Sequence, residues 1–144
     1  MDAFDKTVTG LKEKGAIVEP VDIDVKLLKS IYPTYIIISC AEATSNNANL
    51  DGIKFGDRKS GESYEEVMIN TRTAGFSPLI KRRFVIGSYS LLKENREDLF
   101  LRAQKCRHAI VKSTNKILDE CDTIILPAAP NVAPLFPQSS DRLS

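Results

Sequence analysis

The chain has 144 residues, 42% of them hydrophobic and 27% charged, which is ordinary globular usage and excludes a disordered polypeptide. Twenty Lys and Arg against nineteen Asp and Glu leave a net charge of +1, so no overall field draws in nucleic acid or an anionic membrane. Apolar runs such as residues 35–38 fall far short of the roughly 20 residues a bilayer span needs, and the amino terminus carries charges where a signal peptide is apolar. A cytoplasmic protein with no membrane partner is expected.

Phe4, Val8 and Leu11 share one helical face ahead of Gly15, a natural helix stop. Residues 16–21 read as a short strand ended by Pro20. Asp24 is a candidate cap for a short turn bearing Val25, Leu28 and Ile31, with Pro33 early in a new helix that runs to about Ala48. The β-branched residues 36–38 also permit a strand, but the good helix formers at 40–43 favour a helix that ends before the Asp51-Gly52 turn signal. Residues 56–63 are polar and read as an exposed loop. Residues 65–74 resume a helical pattern, and Ser77-Pro78 has the sequence of a helix start.

The clearest periodicity lies over residues 97–120, where Leu99, Ala103, Cys106, Ile110 and Ile117 form the apolar stripe of a long helix ending near Asp119. Residues 123–126 are a compact apolar strand stopped by Pro127 and Pro130. From Ala128 onward the chain is proline-rich and polar, with no face to bury, and residues 137–144 are expected to be a tail without its own fold. Two strands make a poor sheet alone, so they are expected to join a larger one.

Three cysteines, Cys40, Cys106 and Cys121, are far apart, and a single histidine, His108, cannot complete a metal site with them. Cys106 and His108, two apart on a helix, point about 200° from one another, which disfavours a thiol–imidazole pair. Lys81-Arg82-Arg83 carries three charges in three directions without an aromatic platform, the pattern of packing stems and surface ion pairs more than of a nucleic-acid contact.

Residues 41–46 (AEATSN) and, four residues later, 51–56 (DGIKFG) resemble a block of the amidase signature family, in the version typical of the amidase subunit of the tRNA-dependent amidotransferases. Gly75-Phe76, Lys81-Arg82-Arg83, Gly87-Ser88-Tyr89, Ala103-Gln104-Lys105 with Arg107, and residues 122–130 (DTIILPAAP) continue the resemblance in order, over about residues 1–136. It implies a helix-rich part of the amidase-signature α/β fold, with short strands near both ends that join a larger mixed sheet. Asn49-Leu50, Lys54, Ser77 and Leu79-Ile80 depart from the pattern.

By that resemblance Lys54 stands where the family has an arginine similar to a clamp for the α-carboxylate of glutamine, and Asp122 matches the group that holds the α-ammonium. A zwitterion needs one cation and one anion, and a lysine meets a carboxylate without the second parallel hydrogen bond of a guanidinium. Read without the family, Lys54 is a solvated loop residue and Asp122 a helix terminator. Glu42 and Asn46, four apart on one helical face, can order the Asp51-Gly52 turn or bond each other.

By the resemblance the family uses a serine nucleophile, a second serine and a lysine, the serines standing in a Gly/Ser-rich stretch that is not found here; Ser45, Ser60, Ser88 and Ser90 occur singly. The chain is therefore expected to be a piece of the glutaminase subunit, without catalytic residues, whose partners are the rest of that subunit, the other subunits of the amidotransferase and glutamine, with tRNA met through the complex. Phosphate-cradling glycine motifs are missing, so no cofactor is expected here; ATP and magnesium are implied for the partner subunit. Two alternatives are a non-catalytic docking module built from residues 64–119 and a fragment of another amidase-family hydrolase.

Overall fold

The structure, a computed structural model, describes residues 2–129, 131–133 and 135. The chain divides into two compact units, one of Met1–Val21 with Ile117–Ser144 and the other of Asp22–Lys116. The tail expected over residues 137–144 and the proline at 130 lie outside the described residues.

In the first unit, helix α1 (Asp2–Glu13) ends where the sequence places its stop. The amide of Ala16 donates to the Leu11 carbonyl at 3.1 Å and that of Gly15 to Lys12 at 3.0 Å, the paired bonds of a Schellman cap. Residues 16–21 and 123–126, read as strands from their β-branched content, form none, and no strand occurs among the described residues. A strand is a statement about its neighbour, since its amides and carbonyls are satisfied across a ladder. None of the described residues supplies that neighbour, and Ile17 and Leu126 stand 91% and 71% exposed.

The second unit is built on α2 (Val25–Asn46) and α4 (Pro78–Leu91). Asp24 caps α2, its carboxylate accepting from the Lys26 amide at 2.8 Å. The helix then runs unbroken through Pro33, so the turn and helix expected separately are one element, and residues 36–38 are helical. A ring at position 33 withholds one amide from the ladder, which 22 residues of continuous helix absorb. Ser77 caps α4 with Pro78 in its first turn, as its sequence predicts.

The two helices cross where side chains are smallest. Gly87 lies against α2 so closely that a Cβ there would overlap the Cys40 carbonyl and the Thr44 hydroxyl. Cys40 and Ser90 are each 1% exposed at this crossing, and the Ser90 hydroxyl donates to the Gly87 carbonyl at 2.8 Å. Thr44 Oγ1 lies 2.9 Å from the Cys40 carbonyl and 3.4 Å from that of Phe84, which ties the crossing with a polar contact.

A π-helical turn (Glu97–Leu101), in which the Leu101 amide reaches the Arg96 carbonyl at 2.9 Å, leads directly into α5 (Arg102–Leu118). The long helix expected from residue 97 is therefore present, with a widened first turn that apolar periodicity does not encode. Helix α3 (Tyr64–Gly75) forms no helix–helix seam among the described residues and instead lines the loop that precedes it.

Along α2, Val25, Leu28, Tyr32 and Tyr35 recur at intervals of three and four, yet all are exposed, with Tyr32 at 71%. Val85 and Tyr89 form a similar outward pair on α4. No helix among the described residues is long and apolar enough to cross a membrane.

The crossing makes a direct prediction. Gly87→Ala forces a methyl group into backbone atoms and is expected to cost about 3 kcal/mol, the upper part of the overpacking range. Urea unfolding should show a lower midpoint at unchanged slope, whereas Ser88→Ala, exposed one residue on, leaves the stability within about 0.5 kcal/mol of the parent.

Candidate functional site

The loop from residue 47 to residue 63 carries three of the six residues singled out from the sequence, Asp51, Gly52 and Lys54; Asn46 closes the helix that enters it, and Glu42 lies one turn earlier. Helix α2 releases the chain at Asn47, whose side-chain amide donates back to the Ala43 carbonyl at 2.9 Å. The next residues turn sharply: the Asp51 carboxylate accepts from the Ile53 amide at 2.8 Å, and the Gly52 amide donates to the Phe55 carbonyl at 2.8 Å.

Gly52 has φ of 81°, the left-handed region where a Cβ is penalised, and a Cβ at this position would overlap the Thr71 hydroxyl of α3. The turn is thus pressed onto α3 at its tightest point. Thr71 is buried, and its Oγ1 accepts from the Lys59 amide at 3.0 Å. Asn70 donates to the Ser60 carbonyl at 2.9 Å, one further tie between loop and helix. Ser63 caps α3 by accepting from the Glu66 amide, and the Glu66 carboxylate reaches back to the Glu62 amide at 2.8 Å, a close relative of the capping box.

Arg72 makes the remaining attachment. Its Nη1 donates to the carbonyls of Asn47 at 2.8 Å and Leu50 at 3.1 Å. Its guanidinium lies 5.0 Å from the centroid of the Phe76 ring and 5.4 Å from that of Phe84, and the two rings meet edge to face at 4.9 Å.

Lys54 is exposed at the crest of this turn and has no hydrogen-bond or ion-pair partner among the described residues. In the same loop Lys59 pairs with Asp57 at 2.6 Å; its hydrogen bond and charge hold the exposed Asp57 carboxyl below the usual range. Glu42 and Asn46 are both exposed, and neither bonds the other nor the turn. The turn is ordered instead by its own aspartate and by Thr71 and Arg72. Asp122 is exposed just after α5 and belongs to the other compact unit.

Cys106 does not pair with His108, which is exposed; its Sγ lies 3.2 Å from the Ser30 hydroxyl of α2. Hydrogen bonding with Ser30 and then with Thr34 holds this thiol below its ordinary value, against a smaller opposing effect of burial. The Lys81 ammonium donates to the Thr73 carbonyl at 2.6 Å near the end of α3, so one cation of the basic triplet serves a helix terminus. Among the described residues no group of three or more His, Cys, Asp or Glu is placed to hold a metal ion.

These parts define a helical scaffold that anchors the loop at residues 47, 50 and 59 and leaves Lys54 exposed on it. A profile of the Amidase family matches residues 1–143, and the chain belongs to that family. It is 38% identical over 143 residues to the A subunit of the glutamyl-tRNA(Gln) amidotransferase of Helicobacter hepaticus, covering 99% of this chain and 31% of that one. The proteins of the same name from Treponema denticola and Fusobacterium nucleatum subsp. nucleatum are 40% identical over 134 residues and 41% over 133, each covering 92% of this chain and 27% of the relative. The chain thus spans about three tenths of the length of these relatives and aligns with a segment of an amidase-family amidotransferase subunit.

Thiol chemistry separates Cys106 from Cys40. A thiol lowered in the folded state adds stability that is fully present above the ordinary value of 9.0 and is lost as pH falls through the lowered value. Ser30→Ala should therefore raise the pH midpoint of Cys106 alkylation by iodoacetamide, read by mass spectrometry. Cys40, 1% exposed, should stay unmodified until the protein unfolds. Gly52→Ala, strained in φ and crowded by Thr71, is expected to cost about 2 kcal/mol and to speed hydrogen exchange at the Lys59 amide.

Proposed function

We propose that this chain supplies glutamine-recognition and scaffold residues to the amidase subunit of a tRNA-dependent amidotransferase, the enzyme that forms Gln-tRNA(Gln) from Glu-tRNA(Gln). The observation that carries the proposal is the turn at residues 51–56: its backbone is anchored at both ends while the Lys54 ammonium is left exposed. The alignment with the amidotransferase relatives, nearly end to end in this chain, supports it.

In this reading Lys54 receives the α-carboxylate of glutamine and Asp122 its α-ammonium. Each is a charge-assisted hydrogen bond worth roughly 1.5–3 kcal/mol where water is excluded. The serine nucleophile, the second serine and the lysine that activate an amide belong to other segments of the same polypeptide. They hydrolyse glutamine through an acyl-enzyme, and the ammonia passes to a second subunit, which amidates activated glutamyl-tRNA. ATP and magnesium serve that partner, this segment takes no cofactor, and tRNA is met through the complex. The location is the cytoplasm.

The remainder of the amidase subunit completes what this chain leaves open. Residues 16–21 and 123–126 become strands of its larger mixed sheet, and residues 1–136 form part of one amidase domain. The outward stripe of Val25, Leu28, Tyr32 and Tyr35 is an apolar face of the kind that another element covers.

Glutaminase kinetics in the complete subunit test this assignment. Lys54→Ala and Asp122→Ala should each raise KM for glutamine about 10- to 100-fold, the equivalent of one charge-assisted bond. Lys54→Arg should lower KM by restoring a two-pronged grip. Unaltered KM in both alanine variants removes the recognition roles. Glutamine turnover by the 144-residue chain alone, with contamination excluded, overturns the division of labour.

A further inference from the structure

Arg72 is a cation that the roles proposed above leave unused, and its surroundings are built on both sides. Behind it stand Phe76 at the end of α3 and Phe84 of α4, packed edge to face with centroids 4.9 Å apart. In front of it lie two backbone carbonyls, Asn47 at 2.8 Å and Leu50 at 3.1 Å, which bracket the link between the end of α2 and the Asp51-Gly52 turn. The neighbouring Thr71 holds the far side of the same loop, accepting from the Lys59 amide at 3.0 Å and filling the space beside Gly52 that a Cβ would need.

The loop is thus held at residues 47 and 50, at 52 and at 59, and Lys54 sits inside those attachments. We propose that Arg72 is a positioning residue for substrate recognition: anchored on the Phe76–Phe84 pair, it fixes the loop carbonyls and thereby the place of the Lys54 ammonium. The inference rests on the reading that Lys54 meets the carboxylate of glutamine.

The choice of arginine follows from geometry. A planar guanidinium can lie against rings while one nitrogen reaches two carbonyls; a lysine ammonium is a compact, strongly hydrated charge that can do either but not both. Arg72→Lys keeps charge and stem, and so isolates positioning from packing. Thr71→Val keeps shape and removes only the acceptor for the Lys59 amide.

In the complete subunit, Arg72→Lys should raise KM for glutamine about tenfold with kcat within about twofold of the parent, the mark of lost binding that is shared by ground and transition states. Thr71→Val should move KM the same way by less. Hydrogen exchange at the Gly52, Ile53 and Lys59 amides should quicken in Arg72→Lys while the α2 amides near Cys40 keep their protection. In a Lys54→Ala background, Arg72→Lys should add nothing to KM. If Lys54→Ala raises KM and Arg72→Lys does not, the positioning role is overturned and the glutamine reading stands. If Lys54→Ala leaves KM unchanged, both fall. Multiplying effects in the double variant, unaltered loop exchange, or a loss of kcat together with global protection each overturn the role as well.

Discussion

The close crossing of α2 and α4 is the constraint on which the second unit depends. With no side chain at Gly87, the backbone of α4 comes against the Cys40 carbonyl, and the Thr44 hydroxyl is brought within 3.4 Å of the Phe84 carbonyl. That approach sets where Phe84 stands. Phe84 and Phe76 together set where the guanidinium of Arg72 lies, and Arg72 holds the loop that leaves α2. Geometry therefore passes from a helix crossing to an exposed lysine through contacts that are mostly backbone or aromatic, with few adjustable joints.

Much of this is legible where sequence chemistry is local. Asp24, Ser77 with Pro78, and the Leu11-to-Ala16 cap mark helix ends because capping is decided by one or two residues and the nearest amides. The Asp51-Gly52 signal marks its turn for the same reason. Features that depend on a partner are not legible in this way. Residues 16–21 and 123–126 have the composition of strands, but only a neighbouring strand makes them so. Pro33 has the sequence character of a boundary, yet the helix runs through it, because the ring withholds a single amide from a ladder of 22 residues.

The site divides along the same line. Lys54, Asp51 and Gly52 stand out through the family resemblance and the turn signal. Arg72 does not, because one arginine in an amphipathic helix reads as a solvated charge. A signal is nonetheless available: Arg72 and Phe76 lie four apart at the end of α3, the spacing at which a cation and a ring meet, and the carbonyls freed at the end of α2 need donors. Glu42 and Asn46 illustrate the reverse error. Their spacing is right for cooperation, but both are exposed and the turn is ordered by other residues.

Helix α3 has a further consequence because it is joined to its surroundings chiefly through the loop and the aromatic pair, and not through a helix–helix seam among the described residues. Loop and helix share their hydrogen bonds, so together they have the makings of one cooperative block with an opening free energy of its own. When such a block loosens, the lysine travels with its whole foundation. Thermal breathing would then alter how often Lys54 is presented, while leaving the shape of its loop intact on each return.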